Sequence, residues 1–486
     1  MGCPERALAR SLSRSGALGP ARSLIHDPGP RPFLTWVGAG SKSAEWYVEG
    51  VTAFLDAARA LGDSKRFLPK RARRLLALPV VGTGAGGKYE VAGEILECLV
   101  PMLVDYVSEH DVDIALVCWE APHFAAAQAT RRRLNQKSTT SLWSALSEPM
   151  RGKAEELARD AASRHLVLFI GAGVSMGAGL PSWRELLDEL GRDAGLSEAD
   201  LDSFKEVSLL DRAQFVTETL RQANPADSVG ARVKALLGRH THYGLAHSLL
   251  ASLPAEETIT TNYDTLFELA SAGAGHEAVR VLPYAPTRIG TRWLLKMHGC
   301  VDHPDDIVLT REDYLRYAER NAALSGIVQA MLITKRMLFV GFSLEDDNFL
   351  RIVDAVRRAV RGSSTETDEH GMDRAGLGYA LMPRGNALLQ SLWKRDLPWL
   401  CPAGPDVDPS DGARAVEIFL DLLSHHATAH GYLLDPRCQD VLSEPERRLR
   451  EALLAVAEKS GDYRDAPAWG VVKSLLEQLG HQIQLQ

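Results

Sequence analysis

Paired cysteines are missing from this 486-residue sequence. Cys3, Cys98, Cys118, Cys300, Cys401 and Cys438 stand apart with no C-x-x-C spacing, which excludes a zinc ribbon or a disulfide framework and fits a reducing cytoplasm. Long apolar runs are missing as well. No stretch of 18 apolar residues occurs, so no segment is built to cross a membrane as a helix. Excess positive charge is absent: the formal net charge is −8 at pH 7, which speaks against a general nucleic-acid binder. The basic stretch KRFLPKRARR at 65–74 therefore reads as a solvated face or an inter-domain contact. Residues 1–30 lack the apolar core of a secretory signal, and Arg6 stands where myristoylation needs Ser or Thr. They read as a disordered leader, with an organelle transit peptide as the alternative. No internal repeat or low-complexity run is evident.

What is present is an ordinary soluble composition, 45% apolar and 24% charged, on a chain long enough for two or three domains. Its glycines gather where apolar runs end. The most prominent case is HLVLFIGAGVSMGAGLPSWR at 165–184. A continuous apolar run there reads as a buried parallel strand. It enters a turn with little side-chain bulk, where backbone N–H groups at a helix start can face an anion. Alone, such a turn is as often a tight corner as a phosphate cradle.

A first domain spans 31–130. Phe33–Val37 reads as a strand ending at Gly38-Ala39-Gly40, and 46–61 as a helix. LLALPVVGTGAGGKYE at 75–90 reads as a strand entering a second glycine turn. A helical pattern kinked at Pro101 and a strand over 112–118 follow. Alternating strands and helices mean an α/β domain with a mainly parallel sheet. The residues LPVVGTGAGG, the helix and the strand DIALVCW resemble the second half of a macrodomain. That resemblance implies an ADP-ribose-like ligand held by Gly82, Thr83, Gly84, Gly86 and Gly87; a scaffold used for assembly is the alternative.

Residues 131–160 are polar and read as a linker plus a helix. A main domain then spans 161–432, with a helix-rich insertion over 195–250 whose core positions are Phe204, Leu209, Phe215, Leu220 and Val233. Three more strand ends carry polar groups. Thr258–Thr261 runs into Asn262-Tyr263-Asp264, Trp293–Met297 into His298-Gly299, and Arg336–Val340 into Gly341-Phe342-Ser343; Gly378–Met382 is a further strand. In an open parallel sheet, ligands bind outside the carboxyl ends of the strands. Taken singly, Asn262 to Asp264 can cap a helix, and His298 can be a satisfied core histidine. The tail, 433–486, carries a capping-box spacing at Ser443–Glu446 and an apolar face of Leu449, Leu453, Leu454 and Val456. It reads as closing the main domain's core or as an oligomer contact.

GAGVS-x3-GLPSWR, TTNYD, KMHG and GFSLEDDNF, in that order within residues 171–349, resemble the sirtuin family, in particular its bacterial branch that cleaves NAD in antiphage defence. The resemblance implies a Rossmann-like parallel sheet with a helical insertion. Gly171, Ala172 and Gly173 would lie along the NAD pyrophosphate, and Ser175 and Arg184 would belong to the cofactor loop. Asn262 would orient the ribose or the attacking water, Asp264 would hold the nicotinamide carboxamide, and His298 would be the base near the ribose. Gly341 and Ser343 would contact the adenosine side. Two motif positions depart from sirtuin deacylases, which carry Asp-Phe-Arg and Gln-Asn-Ile-Asp where this chain has Ser182-Trp183-Arg184 and Thr261-Asn262-Tyr263-Asp264. The family's four-cysteine zinc module is also missing, since no cysteine lies between Cys300 and Cys401. The expectation is thus an NAD hydrolase without zinc, giving nicotinamide and ADP-ribose, kept silent until triggered, with a homo-oligomer or a regulatory protein partner. An NAD or ADP-ribose sensor without turnover is one rival. A protein deacylase or ADP-ribosyltransferase is the weaker one.

Overall fold

The computed structural model of the chain describes residues 22–23, 33–34, 43–60, 71–83, 91–224, 228–288, 290–361, 376–463 and 465–481. The turn at Gly38-Ala39-Gly40, Gly84, Gly86, Gly87, residues 65–70 of the basic stretch and nearly all of the leader lie outside the described residues. Two compact units emerge. One gathers Met1–Phe67, Arg73–Leu142 and Thr428–Gln486; the other gathers Leu68–Ala72 and Trp143–Ala427.

In the first unit, helix Ala44–Ala60 is followed by β1 (Arg74–Pro79), helix Ala92–Glu109, β2 (Val112–Val117) and helix Ala121–Lys137. The two strands pair in parallel, with Arg74 opposite Val112 and Pro79 opposite Val117, as a strand–helix–strand crossover requires. Phe33–Leu34 pairs antiparallel with Arg22–Ser23, so that strand does not extend the parallel pair as alternation alone suggests. Helix Ala92–Glu109 runs on through Pro101. Residues 131–137, expected to open a linker, are the last two turns of helix Ala121–Lys137; Arg, Leu, Gln and Lys are good helix formers, and charge alone did not mark a break.

The tail joins this unit. Tyr432, Leu433, Leu434, Cys438, Val441 and Leu442 share one core with Tyr47, Leu55, Ile95, Leu96 and Leu99, and Leu453 and Leu454 pack against it. Leu449 and Val456 stay exposed. Helix Glu444–Glu458 starts at Ser443, whose backbone N–H donates to Glu446 Oε2 at 2.8 Å, with proline in its first turn. Amphipathic spacing foretold a covered face, but not which core would cover it.

The second unit is built on seven parallel strands: β3 (Leu166–Ile170), β4 (Glu257–Thr260), β5 (Arg280–Leu282), β6 (Trp293–Lys296), β7 (Arg336–Val340), β8 (Gly378–Leu381) and β9 (Trp399–Leu400). Their order is β9-β8-β7-β3-β4-β6-β5, and each adjacent pair is parallel. All five side chains of β3 are buried, each contributing about 2 kcal/mol of burial. From β3 the chain builds outward on one side through β4, then returns to lay β7 on the other side. The switch point therefore lies between β3 and β7, where an open α/β sheet leaves its crevice.

The insertion folds as helices Glu198–Phe204, Leu209–Ala223, Val229–Leu237 and Leu245–Ser252. Ser197, Ser208 and Ser228 each cap a helix by accepting a backbone N–H three residues on. Phe204, Leu220 and Val233 are buried as expected, but Phe215 is half exposed. The insertion core is continuous with Tyr263, Leu266, Cys300 and Val301, the segments that follow β4 and β6. It therefore braces the carboxyl edge of the sheet.

Candidate functional site

Three loops meet at that edge. The loops after β3 and β7 touch backbone to backbone: Gly171 N–H donates to Val340 O at 2.9 Å and Gly173 N–H to Gly341 O at 2.8 Å. A Cβ on Gly171 would sit 2.4 Å from Gly341 O, one on Gly173 2.9 Å from Gly341 Cα, and one on Gly341, whose φ is +66°, 2.5 Å from Val174 N. The missing side chains of these glycines are thus required by loop-on-loop packing. Helix Ala172–Met176 begins immediately, and Ala172 and Gly173 remain exposed at the rim.

Ser175, buried, is the hub of a hydrogen-bonded cluster. Asn262 Nδ2 donates to Ser175 Oγ at 3.1 Å and to Gly171 O at 3.2 Å, while Ser175 Oγ donates to Asp264 Oδ2 at 2.8 Å. His247 Nδ1 accepts the Gly244 N–H at 3.2 Å, which leaves its Nε2 to donate to Ser175 Oγ at 3.3 Å; this tautomer is assigned from the network. Burial pushes the pKa of His247 down, with Asp264 pulling the other way. The hydroxyl proton of Ser175 is committed to Asp264. Both Asn262 N–H bonds point into the protein, and its buried Oδ1 has no partner. An unpaired buried acceptor is costly, so this oxygen is fitted to take a proton donor from a ligand or water. Asp264 Oδ1 also accepts the Leu266 N–H at 3.0 Å, the capping role a lone Asn-Tyr-Asp can have; each carboxylate oxygen keeps a further acceptor site.

His298 follows the adjacent strand. Thr260 of β4 pairs with Lys296 of β6, so Asn262 and His298, each two residues beyond that pair, stand level at the sheet edge. Gly299 (φ +89°) turns the chain sharply there, and a Cβ would meet Asp306 O at 2.5 Å. Tyr263 ties the two turns together: its hydroxyl donates to Val308 O at 2.8 Å, and its carbonyl accepts the Val301 N–H at 2.9 Å. His298 is 3% exposed. Burial lowers its pKa and Asp346 opposes that fall, leaving a neutral imidazole at pH 7. Its Nε2 lies 3.5 Å from Asp346 Oδ2.

Sequence reading found Gly171, Gly173, Ser175, Asn262, Asp264 and Gly341, which the fold joins directly, and His298 beside them. Arg184 and Ser343 are exposed; Arg184 lies in the first turn of helix Trp183–Asp193, where its charge acts on Arg212. Three residues were missed. His247 sat unremarked inside the insertion. Asp346 was visible in GFSLEDDNF only as one of three acids. Lys296, which ends the otherwise apolar strand WLLK, is fully buried; its ammonium donates to Asp264 O and pairs with Glu268 Oε1 at 3.0 Å. Burial alone would discharge it, but Glu268 and neighbouring anions turn its pKa upward. A lysine closing a buried strand was the available signal. Among the described residues, no group of three or more His, Cys, Asp or Glu is placed to hold a metal ion, and no helix is long and apolar enough to cross a membrane.

With that geometry in hand, similarity to known proteins narrows the chemistry. Residues 256–396 match the family of the SIR2-like domain. The chain is 34% identical over 204 residues to the NAD(+) hydrolase ThsA of Enterococcus faecium, covering 40% of each protein. It is 30% identical over 213 residues to the NAD(+) hydrolase ThsA of Bacillus cereus, covering 42% of each. It is 23% identical over 214 residues to Defense-associated sirtuin 2 of Bacillus subtilis, covering 43% of this chain and 21% of that protein. The matches thus span well under half the length of these relatives.

Proposed function

We propose that the second unit is a sirtuin-like NAD hydrolase that cleaves the nicotinamide–ribose bond to give nicotinamide and ADP-ribose, and that it serves antiphage defence by depleting NAD in the cytoplasm. One observation carries this reading. Asn262 and His298 stand level at the carboxyl ends of paired strands beside the Gly171–Gly341 crevice, each with a buried polar atom lacking a hydrogen-bond partner. The names of the relatives support the choice of NAD.

Nicotinamide leaves as a neutral base from a cationic ring, so departure builds oxocarbenium character on the ribose. The protein must mainly position, exclude water from the wrong face and stabilise charge. Gly171, Ala172 and Gly173 line the crevice rim along which the NAD pyrophosphate lies, the Gly173 N–H being already given to Gly341 O. Asn262 Oδ1 accepts a hydrogen bond from the water that attacks the ribose carbon. His298, neutral and buried, takes a proton from an O–H at the reacting centre, the electron pair staying on oxygen. No zinc is assigned a part in the reaction. The first unit, in this reading, is macrodomain-like and holds an ADP-ribose-like ligand near Gly82 and Thr83, with assembly or a partner protein releasing the activity.

Purified protein incubated with NAD at several protein concentrations, products resolved by chromatography, tests this. Nicotinamide and ADP-ribose in equal amounts are expected, with a rate per molecule that rises on assembly. NAD binding by calorimetry without nicotinamide release at any concentration would favour a sensor instead. A rate that depends on an acylated peptide would favour a deacylase.

A further inference from the structure

Asp346 lies six residues beyond the end of β7. Its carboxylate is tightly held. Oδ2 accepts the Tyr314 hydroxyl at 2.7 Å and Oδ1 accepts the Phe349 N–H at 2.8 Å. The loop that delivers it passes through Leu344, buried with φ +61°, a conformation that a non-glycine residue keeps only where surroundings enforce it. Oδ2 faces His298 Nε2, an atom with no hydrogen-bond partner. Rings of Tyr314 and Tyr317 flank the imidazole at 5.4 and 5.8 Å, and burial together with Asp346 pushes both phenols well above their ordinary range. They stay protonated, so Asp346 is the carboxylate facing this histidine. The groups around His298 are thus Asp346 from the loop after β7 and Tyr314 and Tyr317 from helix Arg311–Arg320.

We propose that Asp346, clamped by Tyr314, is a positioning residue that orients His298 through Nε2 and stabilises the imidazolium formed when the other ring nitrogen, Nδ1, takes up a proton. This rests on the reading of His298 as the base. The proton balance is simple: an O–H bond breaks with its electron pair left on oxygen, an N–H bond forms at Nδ1, and the Nε2 proton stays on nitrogen, facing the carboxylate.

The test uses the full-length protein with histidine labelled at Cε1 with 13C, His298 being assigned by its loss in His298→Gln. Asp346→Asn keeps the volume and removes the charge. The His298 titration is expected to move to lower pH by more than one unit in Asp346→Asn and by less in Tyr314→Phe, which loosens the clamp alone. In parallel, kcat for nicotinamide release falls about 100-fold in Asp346→Asn with KM within about three-fold. The acidic limb of the pH–rate profile shifts down with the titration, which loss of packing alone would not produce. An unmoved titration in both variants, with native-like circular dichroism, would overturn the proposal. The resonance readout needs no turnover: a shifted titration in a protein that does not cleave NAD keeps the Asp346–His298 coupling and sinks the hydrolase reading.

Discussion

Each unit has a parallel strand that runs into a glycine turn, and the two turns use glycine for different ends. After β1, Gly82 adopts φ +86° and a Cβ there would meet the buried Tyr47 ring at 2.7 Å; the space is taken by a side chain of the same core. After β3, Gly171 and Gly173 make room for the backbone of the β7 loop, and polar side chains with free valences stand around the junction. Glycine content alone did not separate these cases. The ends of the neighbouring strands did: Asn262 after β4 bonds Gly171 O and Ser175, and His298 after β6 stands level with it.

That contrast can be tested by substitution, the largest effect falling on the reacting side. Asn262→Ala or His298→Ala should lower nicotinamide release about 1,000-fold with unchanged circular dichroism, and near-normal turnover in either would undo the site. Gly171→Ala should cost about 3 kcal/mol, the upper range for overpacking, because the clash is with backbone; denaturant unfolding reads it, together with loss of NAD cleavage. Gly82→Ala should cost about 2 kcal/mol from its left-handed conformation and the Tyr47 contact. Hydrogen exchange should place that loss in the first unit and leave protection of β3 and β4 unaltered. Ser175→Ala should slow cleavage about 10-fold, since Asp264 loses a donor and Asn262 an acceptor.

Acid should have the smallest effect, and it should touch both units. Burial lowers the pKa of His123 in the first unit and of His247 and His298 in the second. The unfolded chain binds protons near pH 6.5 while the folded chain resists them, so the stabilisation is complete above about pH 6.5 and declines as pH falls toward the folded values. Urea unfolding free energies should be slightly larger at pH 7.5 than at 5.5, by about 1 kcal/mol or less in total. Equal free energies would mean that these imidazoles are already hydrated in the native protein.

Much of the second unit was legible because its strands are short apolar runs with chemistry at their carboxyl ends, and Arg336–Val340 was read to the residue. Harder to read was anything set by long-range packing. His247 acts through a partner 72 residues away, and no local pattern distinguishes it from other helix histidines. Asp346 belongs to an acidic trio in which only the fold selects the middle member. The tail's leucines announced an amphipathic helix, yet the core that receives them is made by residues more than 300 positions earlier, such as Ile95 and Leu99. Phe215 was misjudged because an exposed aromatic on a helix carries the same spacing as a buried one.

The split composition of the first unit, with one part before residue 143 and one after 427, has a consequence for synthesis on the ribosome. The second unit is nearly continuous and can form its sheet once β9 and helix Pro409–Ala427 have emerged. The first must wait for the last residues before Tyr432, Cys438 and Leu476 can fill its core. Translation therefore delivers the seven-stranded fold before its companion can complete its core.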